Sequence, residues 1–266
     1  MTSEGPIVHR VEGRGDPLLL LNGIAMTAAA WQPVAVPLAR DFRVIRCDLR
    51  GQLMSPGAPP ADAEGHVADV LGLLDLLDIG SAHVLATSFG AVVAVLLAAR
   101  HPQRVRSLVL VAAADRFDGG MLDEVERWRA ACRDALTSGD KGRLVDVIHP
   151  TAFSEAFRRE HARELAARRA QMDNLPDRWF EDLEALMAST EGVDLERQLA
   201  DVRCPTLVIA AERDGFIPVQ RTDALAEKIP SAELETIRGV GHAVVLERPG
   251  ELVERVRRFL ERVKGE

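Results

Sequence analysis

Short apolar runs bounded by turn residues alternate with longer stretches of helical period along most of this chain, and that alternation leaves few folds open. The strand-like runs are IVHRV (7–11), PLLLLN (17–22), FRVIRCD (42–48), AHVLAT (82–87), VRSLVLVAA (105–113), PTLVIAA (205–211) and AELETI (232–237). Helical period is carried by 28–40, 62–78, 89–100, 219–228 and 243–263. The middle runs are apolar almost throughout instead of alternating, which suits parallel strands covered on both faces. Strand then helix, repeated, predicts an α/β fold: a mostly parallel central sheet flanked by helices through right-handed crossovers.

One interval breaks the rhythm. From 117 to 200 no convincing strand occurs, and stretches such as MLDEVERWRAACRDAL and RWFEDLEALMAST read as four or so helices separated by Gly, Pro and Asp breaks. The expected organisation is therefore an α/β core in two parts, 1–116 and 201–266, with a helical cap over 117–200.

Where the fourth strand should turn into a helix stands LATSFGA (85–91). A serine opening a helix commonly caps it. A serine presented on a sharp turn would instead need small residues two positions either side, and here these are Ala86 and Gly90. The stretch resembles the G-x-S-x-G nucleophile elbow of the α/β-hydrolase family, with Ala86 in place of the first glycine. A serine nucleophile needs a base, and the base needs a group to hold its tautomer. In the family these follow in the order Ser, acid, His, each after a later strand. After PTLVIAA comes ERDGFIP (212–218), and after AELETI comes RGVGHAVV (238–245). The resemblance thus implies Ser88 as nucleophile, His242 as base and Asp214 as orienting acid, with Asp115, after the fifth run, as the reserve acid. The other histidines, His9, His66, His83, His101, His149 and His161, read as surface or capping residues.

The same resemblance implies an oxyanion hole from the backbone N–H groups of Phe89 and Ile24. Ile24 lies in a loop opening Asn22-Gly23 where family members usually have His-Gly, a departure from the family pattern. The stretch DLRGQLMS (48–55) is similar to a fold marker of many relatives, with Gln52 and Leu53 replacing the customary His and Gly. As a whole the chain is identified as a member of the serine esterase and lactonase-like branch, with its cap inserted after the sixth strand. Met26, Phe117, Met121, Trp128, Trp179 and Val244 are candidate lining of an apolar substrate pocket, as are Phe153 and Phe180.

Composition narrows the function classes. A net charge of −8 argues against nucleic-acid binding, which needs clustered Lys and Arg. Three cysteines without CxxC spacing suggest neither a disulfide framework nor a zinc site. No apolar run is long enough to span a bilayer, and the polar opening lacks a signal-like segment, so a cytoplasmic location is expected. The resemblance implies a carboxylic ester hydrolase without metal or organic cofactor, acting on small to medium apolar acyl groups as a monomer or homodimer. The partner is then a small-molecule ester. An acyltransferase joining hydroxyacyl chains, a lactonase, a carbon–carbon-bond hydrolase and a perhydrolase share the same triad. A receptor-like, ligand-binding member of the fold is the non-enzymatic alternative.

Overall fold

The computed structural model describes residues 7–55, 57–230 and 232–264. Residues 1–6, read above as a polar opening, and the outer bounds of the core at 1 and 266 lie outside them. Seven strands form one sheet: β1 (His9–Glu12), β2 (Asp16–Leu21), β3 (Phe42–Cys47), β4 (Ala82–Thr87), β5 (Val105–Val111), β6 (Thr206–Ala211) and β7 (Ala232–Ile237). Their spatial order is β1-β3-β2-β4-β5-β6-β7. Only β1 runs antiparallel, to β3; every other pairing is parallel.

The continuous apolar runs follow from burial on both sides. In β2, Leu18 and Leu20 face one core while Leu19 and Leu21 face the other, because successive side chains of a strand point to opposite faces. One face is covered by α1 (Gln32–Leu38), α11 (Val244–Glu247) and α12 (Pro249–Lys264). The opposite face is covered by α2 (Ala63–Leu76), α3 (Phe89–Arg100) and α10 (Val219–Lys228). In α12, Leu252, Val256, Phe259 and Leu260 recur at helical spacing and are buried; each contributes about 1.5–3 kcal/mol of transfer free energy. The glutamates of edge strand β7, exposed Glu233 and half-buried Glu235, are held by Arg262, Arg255 and Arg258 of α12. Charges on an exposed edge disfavour pairing with another sheet.

Between β5 and β6 the chain makes six α-helices: α4 (Gly119–Ser138), α5 (Arg143–Ala152), α6 (Glu155–Glu160), α7 (Ala162–Gln171), α8 (Asp177–Ala188) and α9 (Glu196–Leu199). Four or so were expected; a break at His161 splits the continuous helical period of 155–172 into α6 and α7, and the short α9 adds a sixth. The insertion expected after the sixth strand follows the fifth in this chain's own count, since five strands precede it among the described residues. The period over 243–263 is likewise divided, because Pro249 starts a new helix and the residue before a proline is disfavoured in the helical region. No helix of the described residues is long and apolar enough to cross a membrane.

Candidate active site

β4 ends at Thr87 and α3 begins at Phe89, so a single residue makes the turn between them. That residue is Ser88, at φ 54° and ψ −121°. A non-glycine residue held at positive φ costs on the order of 1–3 kcal/mol and persists only where its surroundings enforce it. Here the Ser88 amide donates to the Val111 carbonyl at 3.0 Å. The hydroxyl makes no capping hydrogen bond to α3, so it is not spent on closing the helix. The small neighbours have steric reasons. A Cβ added to Gly90 would lie 2.5 Å from the Leu21 carbonyl oxygen and 2.7 Å from that of Asn22. Ala86 is buried between Leu21 and Leu110 on the neighbouring strands. Across the turn, a Cβ added to Gly23 would sit 3.3 Å from Ser88 Cβ, which brings the loop after β2 directly against the serine.

Two further loops leave the same, C-terminal end of the sheet. The loop after β6 carries Asp214, whose Oδ1 accepts from the amides of Phe216 at 2.8 Å and Ile217 at 2.7 Å. Those bonds aim the other oxygen, Oδ2, at Nδ1 of His242 from the loop after β7, at 2.8 Å. A carboxylate oxygen accepts, so Nδ1 is the hydrogen-bearing nitrogen in that contact, and Nε2 is left outside it. The Phe216 ring packs edge-on to the imidazole at 5.3 Å. His242 and Ser88 line one cavity, with no hydrogen bond between them. The reserve acid Asp115 is engaged elsewhere, by Lys228 at 2.6 Å and Arg221 at 3.6 Å. Glu212 accepts from the Gly239 amide.

This corner, and the order Ser, Asp, His along the sheet's C-terminal end, coincide with a family match across most of the chain: the family described as alpha/beta hydrolase fold matches residues 16–249. The chain belongs to the α/β-hydrolase fold family. The 2-hydroxymuconate semialdehyde hydrolase of a Pseudomonas species is 31% identical over 269 residues, covering 93% of this chain and 88% of its own length. The pimeloyl-[acyl-carrier protein] methyl ester esterase of Aeromonas salmonicida is 28% identical over 255 residues, covering 93% of this chain and 96% of its own. Among solved structures, the enol-lactonase of Burkholderia xenovorans superposes with a TM-score of 0.83 at 26% identity, covering 96% of each chain. These relatives are hydrolases, and their names divide among semialdehyde, ester and lactone.

In this α/β hydrolase the stretch over 48–55 does more than mark the fold. Gln52, buried, donates from Nε2 to the carbonyls of Gly23 at 2.7 Å and Ile24 at 3.2 Å. Its Oε1 accepts from the Leu49 amide and from Asn22 Nδ2. Asn22 in turn donates to Asp48 and accepts from Trp31 Nε1 at 2.7 Å. Asn22 and Gln52 together therefore pin the loop bearing Ile24. Burial pushes the Asp48 carboxyl above its ordinary value, against hydrogen bonds from the Ala28 and Met54 amides and Asn22 that lower it. The amides of Ile24 and Phe89 donate to no partner among the described residues, and the Phe89 ring is turned away onto His66.

The cavity, about 540 Å³, lies between the sheet's C-terminal end and the helical insertion. Ile24, Met26, Trp128, Phe153 and Trp179 line it. Phe117, Met121, Val244 and Phe180 do not. Phe117 packs edge-on against Phe216, while Met121 and Phe180 sit in the core under the insertion. Val244 points into the α12-side core, and its neighbour Val245 reaches the cavity, because one step along a helix rotates a side chain by about 100°. The histidines also differ from expectation: His66 and His83 are buried, and His149 lines the cavity. Burial pushes the Cys47 and Cys132 thiols up to about 12, leaving no thiolate nucleophile at neutral pH. Among the described residues no cluster of three or more His, Cys, Asp or Glu could hold a metal ion.

Glu247 escaped sequence reasoning. It reads as one more helix-surface carboxylate, yet it is buried, accepting from the Gly241 amide at 3.1 Å, the Ser154 amide at 2.8 Å and the Ser154 hydroxyl at 2.6 Å. It ties the histidine loop to the insertion. A Cβ on Gly241 would meet the Ser154 nitrogen at 2.5 Å, so only glycine allows that approach.

Proposed function

We propose that the protein is a serine hydrolase of carboxylic esters with small to medium apolar acyl groups, working through Ser88, His242 and Asp214. The observation that carries this reading is the His242–Asp214 contact at 2.8 Å on the wall of an apolar cavity that also receives the strained Ser88. His242 Nε2 takes the Ser88 proton as the oxygen attacks the ester carbonyl. Asp214 stabilises the imidazolium, and the amides of Ile24 and Phe89 hold the oxyanion. The imidazolium then protonates the leaving alcohol, and water, activated by the same histidine, releases the acid from the acyl-enzyme. Residues 117–200 act as a cap that closes the acyl chain off from solvent, over the core of 1–116 and 201–266.

A panel of p-nitrophenyl esters of increasing acyl length, run on wild type and Ser88→Ala together, tests the reading. Wild type hydrolyses the shorter members, and Ser88→Ala loses about a thousandfold or more in kcat. A fluorophosphonate labels Ser88 in the folded wild type only. Absence of both turnover and label from folded protein refutes the enzyme and leaves the ligand-binding reading. The named activities of the relatives support a second reading, hydrolysis of another activated carbonyl by the same triad. Labelling without ester turnover favours that one.

A further inference from the structure

Away from Ser88, His242, Thr27 and Thr87, the cavity wall is apolar except at one end. Of its lining side chains only Arg168 bears a formal charge, with Gln171 one turn further along α7 and His149 nearby on α5; no carboxylate lines the wall. Ion pairs abound elsewhere in the insertion. The adjacent Arg169 holds Asp140 at 3.0 Å and Asp146 at 2.9 Å, and Arg129 and Arg133 share Glu126 and Glu184. Arg168 has no ion-pair or hydrogen-bond partner among the described residues. Arg158 of α6 is in the same state, with a buried Nε that meets no acceptor. Both guanidiniums bear on His149, which burial first and then these two positive charges hold below its ordinary pKa of 6.5, against Asp146. His149 is thus a neutral hydrogen-bonding group beside unbalanced positive charge, in a chain of net charge −8.

Resting on the esterase reading, we infer that this end of the cavity is an anion subsite, where Arg168 receives a free carboxylate carried on the same acyl chain as the scissile carbonyl. The substrate class is a half-ester of a dicarboxylic acid. A guanidinium presents parallel donors that match both oxygens of a carboxylate. Arg168 is exposed, at the cavity mouth, so the carboxylate stays partly hydrated while the methylene chain is buried. That division avoids the cost of a fully buried charge and keeps the gain from apolar burial. In the reaction the acyl C–O bond breaks, the hydroxyl of water goes to the acyl carbon and its proton to the alcohol oxygen. The products are a dicarboxylic acid and an alcohol.

The test compares p-nitrophenyl hexanoate with the mono-p-nitrophenyl ester of adipic acid, which differ in a terminal carboxylate, on wild type, Arg168→Gln and Arg168→Lys. Calorimetric titration of hexanoate, adipate and hexyl phosphate into the same three proteins gives a reading independent of turnover. In wild type kcat/KM favours the adipate ester, and Arg168→Gln lowers that preference about tenfold, with Arg168→Lys between. Adipate binds more tightly than hexanoate, and Arg168→Gln removes the difference. Equal loss on both esters, or adipate binding indifferent to Arg168→Gln, overturns the subsite. Tighter binding of hexyl phosphate than of adipate, lost in Arg168→Gln, overturns the carboxylate in favour of phosphate. If neither ester turns over, the esterase reading fails by itself, and the titration still decides the subsite.

Discussion

Ser88 is held by its backbone, not by its hydroxyl. The positive φ, the hydrogen bond from its amide to the Val111 carbonyl and the close approach of Gly23 and Gly90 place the side chain at the cavity wall. Of the side chains holding the loop that carries Ile24, Gln52 makes most of the bonds, since it bonds two of the loop's carbonyls and also Asn22. Gln52→Leu keeps most of the volume and removes every one of those bonds. Leaving their buried partners unsatisfied costs about 2–4 kcal/mol, read from urea unfolding. If the Ile24 amide serves the oxyanion, kcat for p-nitrophenyl esters falls at least about tenfold and KM changes less. A mutant that loses stability with kcat untouched separates the loop from catalysis.

At the level of elements, the site depends on joints between pieces distant in sequence. Glu247 in α11 bonds Ser154 at the head of α6 and Gly241 in the loop after β7. The Ala243 amide donates to the Ala152 carbonyl at the end of α5, strengthening the same joint. Glu247→Ala leaves three buried donors without an acceptor, and a loss of about 2–5 kcal/mol follows. Glu247→Gln retains an acceptor for the two amides and a donor for the Ser154 oxygen, and loses less than half as much. Thermal unfolding of the pair, with His242 ring resonances followed by NMR, checks it: the alanine variant broadens or shifts them and the glutamine variant does not. Equal losses in the two variants would show that the charge, and not the bonding pattern, matters at this joint.

For the whole molecule, the buried histidines tie stability to pH. Burial, the main cause, and then Arg50 hold His66 to about 4, and burial, then Arg106, does the same for His83. Both folded values lie below the unfolded 6.5, so below that pH the unfolded chain takes up protons that the folded chain refuses. Stability is therefore full above pH 6.5 and declines as pH falls toward 4, by on the order of 3 kcal/mol for each fully shifted histidine. Neither ring nitrogen of His66 has a partner among the described residues, and its ring meets Phe89 edge-on at 5.3 Å. His66→Phe consequently loses no hydrogen bond, is at least as stable near pH 7, and flattens the decline between pH 6.5 and 4. Urea unfolding at half-unit pH steps measures this. An unchanged slope in the variant would show that His66 does not drive the acid limb.

The sheet and its main helices were legible because they depend on local periodicity. The spans 89–100 and 219–228 coincide with α3 and α10, and the continuous apolar strands are those buried on both faces. The loops at the sheet's C-terminal end that carry Ile24, Asp214 and His242 could be read too, since each begins where a strand ends and carries a distinctive residue type. Local pattern determines an element, a turn and the order of residues along the chain. Which face of an insertion helix meets the cavity is decided by packing among helices far apart in sequence. For that reason Trp128 and Trp179 line the cavity while Phe117 and Met121 support its walls. Likewise no sequence signal distinguishes Glu247 from a surface glutamate, or Arg168 from the paired Arg169 beside it. Burial and unbalanced charge are properties of the neighbours that only the folded chain supplies.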